Sequence, residues 1–215
     1  MDYFTSIPWC ATVLNDPSII LFTPPCRLQV DEHGNCPTQD QLVRRTFHNS
    51  DGIPHIVAFH PKHCARSVHA PSSTKGLRFL VDSITLMLDL RSGLNGYNGG
   101  AHGGLIATII DEAMGTLIFQ NHEVYKEMEE RKEAVPGHVL NMHGLALFTA
   151  TMNVRYEKPV GTPQVVLAIA SLDRIEGRKV YLRVVIQDGR AKPLARGEGI
   201  WLSVPRRGGE ARNKI

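Results

Sequence analysis

The stretch His102-Gly-Gly-Leu-Ile-Ala-Thr-Ile-Ile-Asp111-Glu-Ala-Met-Gly115 decides the fold. From residue 103 to residue 120 the chain is apolar almost all round, which predicts a helix buried on most sides. Gly103 and Gly104 are poor residues inside a helix but suit its first turn. There the backbone N–H groups lack an intrahelical acceptor, and no side chain blocks an approaching oxygen. With the positive end of the helix dipole behind them, these amides can hold an oxyanion. Asp111 falls mid-helix, between Ile110 and Glu112. A buried carboxylate is costly unless it is paired, hydrogen-bonded or protonated. Its neighbours three and four residues away are Ala107, Thr108, Met114 and Gly115. Three of these are small, so the Asp111 face has room for another group, and the helix offers no Arg or Lys beside it. An acid exposed at a helix edge, or one bonded to a strand backbone, fits the same composition. Eight residues separate Gly103 from Asp111, which is about 12 Å of helix. One helix cannot bring both to one reacting carbonyl. Two antiparallel helices from two subunits can, so a functional site here predicts a dimer with two composite sites.

Outward from this helix the patterning changes. Residues 77–90 end in SITLMLDL, where Ile84, Leu86, Leu88 and Leu90 alternate with Ser83, Thr85, Met87 and Asp89, as in a half-buried strand. Residues 91–100 are a Gly- and Asn-rich loop. Residues 121–146 are polar; HEVYKEMEERKEA favours a solvated helix ended by Pro136-Gly137, and the whole segment reads as an insert. Residues 147–157, 164–172, 178–187 and 194–204 are four β-rich runs separated by turn signals, so consecutive runs are expected to pair as antiparallel neighbours. One apolar helix and one sheet are satisfied together when the sheet curves around the helix. That is an α+β fold of hot-dog architecture, placed at residues 76–205. Residues 1–75 carry eight prolines and are expected to be an irregular extension packed on this core, with residues 38–48 a candidate helix. Residues 206–215 are expected to fray as a basic tail.

Composition narrows the function classes. At 42% hydrophobic residues, the 215-residue chain has enough apolar side chain for a core. Its formal net charge of +3 resides in that tail, where Arg206, Arg207, Arg212 and Lys214 face only Glu210. No basic domain face remains for nucleic acid. The four cysteines (Cys10, Cys26, Cys36 and Cys64) form no CxxC pair, and no secretory leader pattern is present. The longest apolar run, 105–119, is broken by Asp111 and Glu112 and is too short to span a bilayer. A soluble chain in the cytoplasm or another intracellular compartment, with reduced thiols, is the expectation.

With HGG, an Asp nine residues after the His, a strand before and strands after, the chain resembles the hot-dog acyl-CoA thioesterases of the phenylacetic-acid-degradation and thioesterase-superfamily-member type. It looks most like the fungal thioesterase-superfamily proteins. The resemblance covers roughly residues 80–204. It implies that Asp111 is the general base or nucleophile and that the amide of Gly103, with Gly104 beside it, forms the oxyanion hole. It implies that His102 orients the thioester. A Ser or Thr four residues before an Asn positions the water or the acid in that family; here it is Thr149 before Asn153. By strand alternation Thr149, Thr151 and Asn153 share one face. Many members carry an Asn six residues before the His, where this chain has Gly96, flanked by Asn95 and Asn98 as substrate-binding candidates. The resemblance implies an acyl-CoA or acyl-carrier substrate, with coenzyme A entering only as part of that substrate and no other cofactor. It also implies a homodimer or a tetramer.

Other residues carry weaker signals. Glu112 points about 100° around the helix from Asp111 and reads as structural or pocket-lining. Arg178 and Lys179, with Arg174, sit at a turn; they would suit the phosphates of coenzyme A, or be ordinary hairpin charge. His60, His63 and Cys64 lack a second ligand pair, so no metal site is expected. Asp82 and Asp89 read as solvated strand ends, and Tyr156, Tyr181 and Trp201 as sheet packing. No GxSxG elbow is present, which excludes an α/β-hydrolase. Two alternatives to hydrolysis stay open: a biosynthetic hot-dog enzyme that releases, dehydrates or cyclises a polyketide-type chain, and a protein that binds acyl thioesters without turnover.

Overall fold

The computed structural model describes residues 2–28, 40–62 and 76–205. Nothing between Gln120 and Glu130 breaks a helix, and the helix begun at the glycine pair continues straight through this stretch as α3 (Gly103–Glu130). The expected division into a buried helix and a separate insert at residue 121 is therefore corrected. The polar residue at the junction, Asn121, is fully buried and bonds to both the N–H and the C=O of Val81 and to Leu117 O. It joins the two halves of the helix to the core, because every polar group of its amide finds a partner. Helix α3 is about 42 Å long at the usual rise.

Seven antiparallel strands wrap one side of α3. In chain order they are β1 (Ile19–Phe22), β2 (Ile56–Pro61), β3 (Ser83–Leu90), β6 (Leu145–Tyr156), β7 (Gln164–Glu176), β8 (Lys179–Gln187) and β9 (Pro193–Pro205). A small hairpin, β4 (Asn95–Tyr97) with β5 (Gly100–Ala101), precedes the helix. The order in the large sheet is β1-β2-β3-β7-β8-β9-β6. The expected pairing of consecutive runs holds for β7–β8–β9 but not for β6, which lies at the far edge beside β9. Residues 157–163 carry the chain back across the end of the sheet. Seven residues can reach roughly 20 Å, enough to pass three strand spacings. The link is anchored where Ala101 N donates to Val160 O at 2.8 Å.

Residues 1–75 are not merely irregular. The described part supplies β1, β2 and two short helices, α1 (Asp2–Thr5) and α2 (Pro8–Leu14). Phe4, Cys10 and Leu14 pack with Val57, Phe59, Met87, Val165 and Leu167 on the outer face of the sheet. β3 is consequently buried on both faces rather than half-buried. Asp89, expected in solvent, is 1% exposed; it accepts from Tyr3 Oη at 3.0 Å and pairs with Arg91 at 2.8 Å. Asp82 stays partly exposed beside Arg78, 3.8 Å away. The candidate helix at 38–48 is a π-helical turn over Leu42–Thr46. The expected basic tail at 206–215, with His63 and Cys64, lies outside the described residues.

The inner core is α3 against the concave sheet, with Ile106, Ile109, Ile110, Met114 and Leu117 all at 2% exposure or less. The contact with β9 is close. A Cβ on Gly197 would collide with Ile110 Cγ2, and one on Gly199 would lie 2.5 Å from Met114 Sδ. Two glycines on one strand let the helix settle almost onto the sheet backbone.

Candidate functional site

α3 presents three sides. The sheet covers one, the segment around Cys26 and Asp40 covers the next, and the remaining stripe carries Gly104, Thr108, Asp111 and Gly115. All four are exposed or half-buried. Strand β6 grips this stripe at two points. Thr149 Oγ1 donates to Asp111 Oδ1 at 2.9 Å, and Tyr156 Oη donates to Gly103 O at 3.0 Å.

The geometry that allows both grips is a bulge in β6. Thr149 pairs with Trp201 and Thr151 with Ile200, so Ala150 is the extra residue. The bulge shifts the alternation. Thr149 faces the helix with Trp201, while Thr151 and Asn153 face outward beside Ile200 and Glu198. The expected common face of Thr149, Thr151 and Asn153 is thereby corrected. Met152, Val154 and Tyr156 take the inward positions.

Asp111 and Thr149 are thus brought together as the resemblance implied. Among the described residues no Lys or Arg forms an ion pair with Asp111, and the side chain that bonds it is a neutral hydroxyl. A carboxylate held by one donor keeps lone pairs for a water or a substrate.

At the helix start His102 is the N-cap, with φ −62° and ψ 135°. Its Nδ1 accepts from Gly104 N at 2.9 Å. This corrects the expectation for Gly104, whose amide is already engaged by the imidazole. Gly103 N–H has no acceptor among the described residues and is the open donor of the pair. The His102 backbone is fixed on both sides: its N–H donates to Leu94 O at 2.9 Å and its C=O accepts from Ile106 N at 3.2 Å.

Position 96, where the resemblance led to the expectation of a polar contact, has no space for a side chain. A Cβ there would sit 2.9 Å from His102 Cα and 3.0 Å from His102 Cδ2. The neighbouring Asn95 accepts through Oδ1 from the Thr162 hydroxyl, which ties the hairpin to the crossover link. Asn98 is exposed in the hairpin turn with no hydrogen bond among the described residues.

Glu112 does not line an open crevice. It turns under the N-terminal segment, where one ligand atom each of Cys26, Asp40 and Glu112 lie within 4.8 Å of one another. Burial first, and then the nearby Asp40 charge, push the Glu112 carboxyl up to about 7. Burial also raises the Cys26 thiol and the Asp40 carboxyl above their ordinary values. Arg27 and Arg44 pin the covering segment through backbone carbonyls, Arg27 to Cys26, Val43 and Ile53, and Arg44 to Pro25 and Leu28. Two guanidiniums beside the cluster supply its cationic complement. No linear spacing could have revealed it, since residues 26, 40 and 112 are brought together only by the fold.

Arg178 and Lys179 lie at the β7–β8 turn. The Arg178 Nε donates to Ser203 O at 3.0 Å, so its head is partly committed to the sheet. Lys179 is exposed and pairs in register with Leu202, which pairs with Phe148. That places it two strand spacings, about 10 Å, from the residue next to Thr149. Arg174 is not free for a ligand: it bonds Asp173 and Glu176 at 2.7 Å and stacks 3.6 Å over the Tyr181 ring. His60 is buried with Nδ1 3.0 Å from Pro61 O. Trp201 packs inward as expected, but Tyr156 is 57% exposed at the helix tip.

Residues 98–194 match the thioesterase superfamily, a thioester-hydrolase family that here takes in the His102–Asp111 segment and Thr149. Verlamelin biosynthesis protein B of a Lecanicillium species is 27% identical over 214 residues, 94% of this chain and 87% of that protein. Acyl-coenzyme A thioesterase THEM4 of Mus musculus is 34% identical over 101 residues, which cover 47% of this chain but only 34% of that one. A hypothetical thioesterase protein from Streptococcus pneumoniae, solved with coenzyme A, has a TM-score of 0.46 at 14% identity, over 62% of this chain and 86% of that chain.

Proposed function

We propose, from the match of residues 98–194 to the thioesterase superfamily, that the chain hydrolyses an acyl thioester at a site shared by two copies of the chain. The observation that carries the proposal is the Asp111 carboxylate, mid-helix, held by Thr149 and free of any cationic partner among the described residues. In this reading the thioester carbonyl of the substrate docks against the Gly103 N–H of one copy and faces Asp111 of the other. Asp111 takes a proton from water as the water oxygen bonds to the carbonyl carbon, or its own oxygen attacks that carbon first and water hydrolyses the resulting mixed anhydride once the thiolate has left. The developing oxyanion is held by the Gly103 amide. The C–S bond then breaks, and the thiolate leaves and is protonated. His102, with its ring fixed by the Gly104 amide, orients the acyl group.

Support for two copies comes from distance and from the sheet edge. The amide and the carboxylate are about 12 Å apart along one helix. β6 lies at the edge with Phe148 60% exposed, an apolar surface suited to a second copy. Asp111→Asn tests the reading: free thiol released from a panel of acyl-CoAs should fall by about 10²–10⁴ in kcat with the fold unchanged. Wild-type turnover in that variant would remove Asp111 from the chemistry.

A second setting is favoured by one observation. The fungal biosynthesis protein aligns along 94% of this chain, N-terminal segment included, whereas the mouse acyl-CoA thioesterase aligns along 47%. A carrier-bound acyl chain released at the end of a biosynthetic sequence fits this coverage. Comparing thiol release from acyl-CoA with release from an acylated carrier protein separates the two substrates.

A further inference from the structure

Tyr156 ends β6 with its phenol over the tip of α3. Its Oη donates to Gly103 O at 3.0 Å, and a Cβ built on Gly103 would lie 3.6 Å from the Tyr156 ring. The Gly103 carbonyl and the Gly104 N–H belong to one planar peptide group. That same N–H donates to His102 Nδ1 at 2.9 Å. The phenol, the peptide and the imidazole therefore form one continuous hydrogen-bonded chain. A carbonyl oxygen has two lone pairs, so the phenol can bond it without displacing the helical ladder.

We propose that Tyr156 is a positioning residue for this site, acting through the Gly103–Gly104 peptide to fix the ring orientation and tautomer of His102. The inference rests on the thioesterase reading, since it assigns a purpose to His102. Two consequences follow from the chain of bonds. With Nδ1 accepting, the neutral imidazole must carry its proton on Nε2, the nitrogen directed away from the cap. A donor on the Gly103 oxygen also polarises the peptide and strengthens its N–H, by about 10–30% per bond in condensed-phase estimates. The phenol thus tightens the cap that holds the Nε2–H toward the acyl group. It also holds the peptide that follows the open Gly103 N–H. Thr149 lies seven residues earlier on the same strand, so β6 aligns the acid at one end of the stripe and the amide tip at the other.

The test is Tyr156→Phe, which keeps the ring and removes the donor at an exposed position. Its kcat for acyl-CoA hydrolysis should fall about fivefold, the loss expected for one neutral hydrogen bond, with KM within about twofold of wild type. A purely structural tyrosine would not move the second readout, the ¹⁵N signals of His102 in histidine-labelled protein. In wild type these should show the Nε2–H tautomer; in Tyr156→Phe they should shift toward a mixture of tautomers. A wild-type His102 protonated on Nδ1 overturns the proposal, as does unchanged kcat or an unchanged tautomer in the variant. Should wild type release no thiol from any thioester, the hydrolase reading fails, and the tautomer measurement still decides whether Tyr156 acts on His102.

Discussion

Asp111→Asn and Gly103→Pro each remove one half of the proposed site while leaving α3 in place. Proline is tolerated at the first position of a helix, where its missing N–H has no intrahelical partner. His102 is already extended at φ −62° and ψ 135°, the conformation that precedes proline. Gly103→Pro should therefore delete the open donor with little cost to the helix. Either variant alone should retain about 10⁻² to 10⁻⁴ of wild-type kcat, as when an oxyanion donor or a base is lost. Co-expressed with different tags, the two chains should form mixed dimers in half the population. Each mixed dimer has one site with both groups intact and one with neither. Thiol release by the mixture should therefore recover to about a quarter of wild type, at least twentyfold above either parent. The argument depends on the rise of the helix, since eight residues at 1.5 Å keep the two groups about 12 Å apart and a reacting carbonyl needs both within about 3 Å. If native mass spectrometry shows mixed dimers and activity stays at the parental level, the shared site is refuted. Full activity in a monomer isolated by sedimentation refutes it equally.

Thr149→Val keeps the branched shape and removes the donor to Asp111 Oδ1; kcat should fall about tenfold, less than for Asp111→Asn, in the same thiol-release assay. Gly96→Ala places a methyl 2.9 Å from His102 Cα, so unfolding in urea should show a loss of about 1–3 kcal/mol together with reduced kcat. Glu112 gives a pH signature. Its carboxyl stands at about 7 in the folded protein against 4.5 for an ordinary Glu, so between those values the folded chain holds one more proton than the unfolded chain. Its contribution is fully present below 4.5 and is lost as pH rises through 7, a total of about 3 kcal/mol at 1.36 kcal/mol per unit. Relative to Glu112→Gln, wild type should lose that amount between pH 4.5 and 7 in urea titrations; parallel pH curves for the two proteins would refute the buried carboxyl.

The helix-centred architecture was legible because its signals are local: a glycine pair, an apolar run and alternating strands each fix their own geometry. Asp111 stood out for the same reason, as an acid in an apolar helix, whereas His102 and Thr149 were singled out only through the family resemblance. What escaped the sequence is what depends on contacts between distant elements. Met87 and Asp89 look like the solvated side of a strand until α1 and α2 cover them, because an alternation pattern records residue type and not what lies above it. Glu112 looks like a companion to Asp111 until Cys26 and Asp40 close over it. The bulge at Ala150 left no mark in composition either. One extra residue turns Thr151 and Asn153 outward and brings Tyr156 inward, exchanging an expected polar row for a phenol on the helix tip. A strand of strict alternation that kept Thr149 on Asp111 would turn Tyr156, seven residues on, to the outer face. The bulge is therefore what allows one strand to hold both ends of the site.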